Sequence, residues 1–154
     1  MLLPSVVDLR RQTAGMRLLG LDPGTKTIGC AVSDSAHIVA TPLKVIVRKK
    51  FQKDLEALQA ILQETGVGGI VVGMPLNMDG TAGPRAQSVR AFQRNLEKAI
   101  DLPMAFIDER LSTAAVERSL IEQDVSRRRR AEVIDAHAAA YILQGALDLR
   151  LPDA

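Results

Sequence analysis

The 154-residue chain reads as one α/β domain built on a mixed five-stranded sheet with helices packed on its faces. Three observations predict it. After residue 16, three short apolar segments follow one another across tight turns, as in an antiparallel meander. Apolar runs then alternate with segments of helical period, as in parallel α/β units. No repeat, low-complexity stretch or linker divides this part of the chain. Residues 1–15 stand apart, with Pro4, a charge cluster over Asp8–Arg11 and Gly15. They are expected to be an N-terminal extension, open to disorder, ahead of a domain at 16–150.

The elements follow in order. MRLLGLD, residues 16–22, is a strand closed by the Pro23-Gly24 turn. TIGCAVSD, residues 27–34, and the β-branched HIVATPLKVIV, residues 37–47, are the next two strands. Phe51, Leu55, Leu58, Ile61 and Leu62 then recur on one helical face, and Gly66 is placed to stop that helix. GGIVVGMP, residues 68–75, is a continuous apolar run suited to a buried parallel strand. A glycine-containing loop, Asn77–Gly83, leads to a helix marked by Val89, Phe92, Leu96 and Ile100. PMAFIDE, residues 103–109, is the fifth strand, and a helix through Val116, Leu120 and Ile121 follows it. A basic loop precedes the last helix, whose stripe is Ile134, Ala138, Tyr141, Ile142, Gly145 and Leu149.

Composition narrows the function. Aromatics are 3% of the chain, too few for modules that stack bases on surface rings. Net charge is only +2, but the positive residues are fourteen Arg against six Lys. Arginine makes bidentate contacts to phosphate, although GC-rich coding produces the same skew. A single cysteine, Cys30, excludes an internal disulfide and offers no zinc spacing. Its apolar neighbours suggest a buried thiol. No apolar run approaches the ~18 residues of a membrane span, and the start lacks the basic and apolar regions of a signal peptide. A cytoplasmic protein is expected.

Three acidic positions could carry chemistry. Asp22 ends an otherwise apolar strand, either as a turn former or as a ligand presented at a strand end. Asp108 and Glu109 end another strand, where an α/β sheet binds ligands and where acids also favour a following helix. Only one of that pair can share a face with a given neighbour. Asp135 shares an alanine-lined helix face with Ala138, Ala139 and Ile142. His137 lies about 200° around from Asp135 by the helical period, so the two cannot easily share a metal. His137 and His37 are read as surface or hydrogen-bonded histidines. Oxygen-only donors suit hard ions such as Mg²⁺ or Mn²⁺, and such clusters serve phosphodiester hydrolysis with two ions.

GLDPGTKTIGCAVSD, VVGMPLNMDGTAG, DERLSTAAVERSL and SRRRRAEVIDAHAAAYILQ resemble, in order, the four blocks of the YqgF (RuvX-like) family. The resemblance covers about residues 16–149. It implies an RNase H-like fold and the activity of a Holliday junction resolvase or a pre-16S rRNA nuclease. It also implies that Asp22, Glu109 and Asp135 form the acidic site. Precursor rRNA is the favoured substrate, branched DNA the alternative, and ribosomal precursor particles the expected partners of a monomer or homodimer. Phosphate contacts are expected from Arg127, Arg128, Arg129 and Arg130, with Lys26, Arg85 and Arg110 as weaker candidates. The Pro75–Gly83 loop could hold phosphate or act as a lid, although it lacks the GK[ST] ending of a P-loop. Two other readings compete. DPGTKTIG is similar to the phosphate loop of actin-type and sugar-kinase ATP-binding lobes, but such proteins clamp nucleotide between two lobes and this chain has length for one. A non-catalytic assembly factor would keep the fold without needing the three acids.

Overall fold

The structure, a computed structural model, describes residues 1–76, 79–109 and 127–151, and of residues 127–135 the backbone alone. Helix α1 (Val6–Gln12) precedes strands β1 (Leu18–Pro23), β2 (Thr27–Ser33) and β3 (Ala40–Val47). Then come α2 (Phe51–Thr65), β4 (Gly69–Met74), α3 (Pro84–Ala99) and β5 (Met104–Asp108). The last described helix, α4, spans Arg127–Asp148. The expected helix through Val116, Leu120 and Ile121 lies outside the described residues.

The sheet order is β3-β2-β1-β4-β5. β2 pairs antiparallel with β1 and β3, whereas β4 runs parallel to both β1 and β5. This is the mixed RNase H-like sheet the sequence predicts. Every residue of β1 and β4 is buried, as a sheet covered on both faces requires. Alternation sends Leu19, Leu21, Ile70 and Val72 to the face packed by α2 and α3. Leu18, Val71, Ala105 and Ile107 point to the other face, under α1 and α4.

Local chemistry sets the boundaries. Gly66 ends α2 in the left-handed region (φ 64°) and donates its N–H to Leu62 O at 2.9 Å. Pro84 opens α3 at its first position. The third strand starts at Ala40 rather than at residue 37, because Asp34 Oδ1 accepts the N–H groups of Ile38 (2.7 Å) and Val39 (3.0 Å). That turn holds His37 at φ 58°, with Nε2 2.8 Å from Met16 O.

Two sequence expectations change. Residues 1–15, open to disorder by composition, are ordered on the domain. Ser5 caps α1 by accepting the Asp8 N–H, and Val6 and Leu9 are buried in the core beneath α4. Leu2 bridges in parallel to Met104 of β5, and Leu3 N–H donates to Met104 O at 2.7 Å. Arg10, only 8% exposed, donates to Leu149 O at 2.6 Å beyond the end of α4. Pro4, Ser5, Asp8, Arg10 and Arg11 interrupt its apolar residues, and Val6 and Leu9 are the ones that dock fully. The second correction concerns Arg127–Arg130, expected in a loop before the last helix. They form its first turn, as the good helix propensity of arginine permits.

Candidate active site

The carboxyl ends of β1, β4 and β5 lie together because these strands are parallel neighbours. Leu21 pairs with Val72, so Asp22 stands level with Gly73 on the next strand. Gly73 in turn pairs with Ile107, and Glu109 follows two residues later on the same face. Its carboxylate folds back over Gly73, with Oε1 2.9 Å and Cγ 3.4 Å from where a β-carbon on that glycine would lie. Asp22 is 7% exposed and Glu109 Oε1 is shielded from solvent. The two acids therefore flank a position that has no side chain. Asp108 pairs with Met74 and is turned to the opposite face.

Helix α4 lies across this face. Gly20 lets it approach closely: a β-carbon there would be 2.8 Å from Leu143 Cβ and 3.3 Å from Ala139 O. Further along, Gln144 Oε1 accepts the Ala40 N–H at 2.9 Å, at the end of the sheet remote from Asp22. The amino-terminal half of α4 is thus directed to the end that carries Asp22 and Glu109. Asp135 occupies this half, one turn before Ala139 and two before Ile142, whose Cδ1 also borders Gly73. Its side chain lies outside the described residues. Among the described residues no group of three His, Cys, Asp or Glu side chains forms a metal site.

The basic candidates divide. Lys26, on the β1–β2 turn, and Arg85, in the first turn of α3, are both exposed at this end of the sheet. Arg85 lines an open groove of about 320 Å³ with Pro75, Leu76, Gly83 and Pro84, so the glycine-containing loop borders the site. Arg110 and the side chains of Arg127–Arg130 lie outside the described residues, although the backbone of that run begins α4. Cys30 is fully buried, and burial pushes its thiol up to about 12, which leaves it inert as a nucleophile. His137 is partly buried on α4, and His37 is held by the turn described above.

One charged residue escaped the sequence reading. Arg48 follows β3, and its partly exposed guanidinium lies at the end of the sheet that carries Asp22. Nη1 donates to Gly24 O at 2.6 Å, Nε is 3.9 Å from Asp54 Oδ2, and Cζ sits 5.0 Å from the centre of the Phe92 ring. Its backbone N–H also donates to Lys26 O at 2.9 Å. The turn that follows Asp22 is therefore tied to both α2 and α3. The signal available was the run Arg48-Lys49-Lys50 closing an apolar strand.

A mixed sheet of this order is an RNase H-like fold, with Asp22 and Glu109 at the carboxyl ends of two of its parallel strands. The family model described as "RuvX: Holliday junction resolvase" matches residues 16–149, and the chain belongs to that family. A relative from Paracoccus denitrificans, named "Putative pre-16S rRNA nuclease", is 64% identical over 84% of this chain and 82% of its own. One of the same name from Chelativorans is 58% identical over 94% of this chain and 91% of its own. Among solved structures, Thermus thermophilus RuvC in complex with a Holliday junction substrate shares the fold, with a TM-score of 0.57. That likeness spans 86% of this chain and 93% of the other, at 15% identity.

Proposed function

We propose that residues 16–150 form a metal-dependent nuclease domain whose task is maturation of the 5′ end of pre-16S rRNA in the cytoplasm. The observation that carries the reading is the placement of Asp22 and Glu109 on either side of Gly73, beneath the half of α4 that bears Asp135. The names of the relatives favour RNA as the substrate. Among the described residues no helix is long and apolar enough to cross a membrane.

The donor chemistry fits a hard divalent ion. Asp22 and the shielded Glu109 oxygen stand on either side of Gly73 in a poorly solvated site, where a cation would offset the repulsion between carboxylates. Asp22, Glu109 and Asp135 would hold Mg²⁺ or Mn²⁺ through oxygen alone. Such ions activate water and stabilise the leaving oxygen of a phosphodiester. The protein's own share is positional. Strand pairing fixes the spacing of Asp22 and Glu109, and the missing side chain at Gly73 leaves the space into which the Glu109 carboxylate folds. Lys26, Arg85, Arg110 and Arg127–Arg130 would take neighbouring phosphates and so set affinity and register.

The family description favours a second substrate, the four-way DNA junction. One experiment separates the two: purified protein with Mg²⁺ or Mn²⁺, incubated with precursor 16S rRNA, four-way junctions and single strands. Selective cleavage of the rRNA precursor supports maturation, and selective cleavage of junctions moves the assignment to branched DNA. No metal-dependent cleavage of any of them would refute the nuclease reading.

A further inference from the structure

Lys26, Lys49 and Lys50 form an exposed basic ridge beside the catalytic end, on the α2 and α3 side of the sheet. β3 ends at Val47, paired with Thr27, and the chain then passes Lys49 and Lys50 into the start of α2. Two strand spacings of ~4.8 Å, and about four residues of ~3.3 Å along the strand, separate Lys49 from Asp22, so the ridge lies roughly 15 Å from it. Neither ammonium meets a carboxylate among the described residues, whereas Lys53, one turn on, pairs with Glu56 at 3.6 Å. Asp54, the acid next to both, is 2% exposed and fully engaged: Oδ1 accepts the Lys49 N–H at 2.8 Å and Oδ2 faces Arg48. The positive charge is thus left uncompensated while its backbone is held firmly.

From this arrangement, and resting on the nuclease reading above, we infer that Arg48–Lys50 is a second nucleic-acid contact of the site. Lys49 and Lys50 take backbone phosphates. Arg48 is a positioning residue that fixes both the ridge and the turn after Asp22, through Gly24 O and Lys26 O. The backbone that begins α4 lies on the opposite layer. A substrate strand crossing the acids would be gripped by this ridge on the α2 and α3 side of the cut.

The test uses the whole chain with a labelled RNA hairpin and a labelled four-way DNA junction, in chelator, between 50 and 200 mM salt. Replacing Lys49→Ala and Lys50→Ala together should weaken binding on the order of tenfold and reduce the log–log salt slope by about 1.5 to 2, near one unit per phosphate. With metal present, KM should rise in step while kcat stays within about twofold. Lys98→Ala, exposed at the other end of α3, should change neither. Arg48→Gln should raise KM and also lower kcat, which the lysine pair should not. A wild-type salt slope and KM in the lysine variant would overturn the inference while leaving the nuclease reading intact. Failure of the wild-type protein to bind or cleave either probe would overturn both.

Discussion

The Glu109 carboxylate rests on Gly73, with Oε1 2.9 Å from the place a β-carbon would occupy. A glycine on a fully buried central strand gives up packing, and here the space it leaves is filled by a carboxylate from the neighbouring strand. The first prediction follows from that contact. In Gly73→Ala the new methyl meets the far end of a movable side chain and the tip of Ile142 at 3.1 Å. The fold can absorb both, so the melting temperature should shift by only a few degrees, about what 1 kcal/mol produces at this size. Cleavage should fall at least ~10-fold, because displacing a reacting group by an ångström is costly. Wild-type activity in this variant would show that Glu109 has no fixed place in the chemistry.

Asp135→Asn tests the helix-borne acid. The substitution keeps shape and helix but removes a formal charge from the acid cluster. Losing one ligand of a two-ion site commonly removes several kcal/mol of stabilisation. About 3 kcal/mol is a factor of roughly a hundred, so at least ~99% of hydrolysis should disappear. Binding in chelator should persist, and the variant should melt at or above the wild-type temperature as carboxylate repulsion is relieved. Near-normal cleavage would remove Asp135 from the site, and a large fall in melting temperature would make it a structural residue.

Arg10 tests whether the first fifteen residues support the domain. Its buried guanidinium bonds to carbonyls at the end of α4, where positive charge also complements the helix dipole. Arg10→Met retains much of the stem but leaves those carbonyls without this donor, at a cost of about 1–3 kcal/mol. Chemical denaturation should show that loss, with kcat almost unchanged because α4 is loosened at the end remote from Asp22. An unaltered denaturation midpoint would mean that the contact contributes nothing to stability.

Cys30 should make the alkaline limb of stability steeper. Its thiol is pushed up to about 12 by burial, whereas the unfolded thiol titrates near 9.0. Between those values the folded chain keeps a proton that the unfolded chain has lost, so stability falls as pH rises. Below about pH 9 the group has no effect. Urea midpoints at pH 8 and pH 10.5 should therefore diverge more in wild type than in Cys30→Ala, despite the small cavity the alanine leaves. Equal divergence in both proteins would mean that the thiol is not the source.

Much of this was legible in the sequence, for reasons that differ by residue. Gly66, the apolar periodicity of α2 and the apolar runs of β1 and β4 are local signals, and each element formed where its own residues dictated. Asp22 and Glu109 were visible as acids ending apolar strands, although a turn and a following helix explain such acids equally well, and the four-block resemblance is what joined them. Their adjacency came from that resemblance and from no local signal, because it depends on β1 pairing with β4 some fifty residues later. No local signal marks Gly20 and Gly73, whose roles depend on α4 and Glu109 occupying the space above them. Arg48 was hidden for a similar reason, since nothing local shows a charged residue turning inward to hold a turn twenty-four residues earlier. In α1, Val6 and Leu9 were too few to mark a buried face.

The central position of β1 has a consequence for synthesis. Its partner β4 and its cover α4 are made much later, so the earliest strand waits longest for its surroundings. A nascent chain that has emerged only as far as β5 would expose Leu18, Ala31, Val71, Ala105 and Ile107 as one apolar surface, since α4 is still missing. Such a surface invites aggregation or capture by a chaperone. The same delay withholds Asp135, so by the proposed assignment a half-made chain on the ribosome lacks one of its three acids beside the RNA that surrounds it.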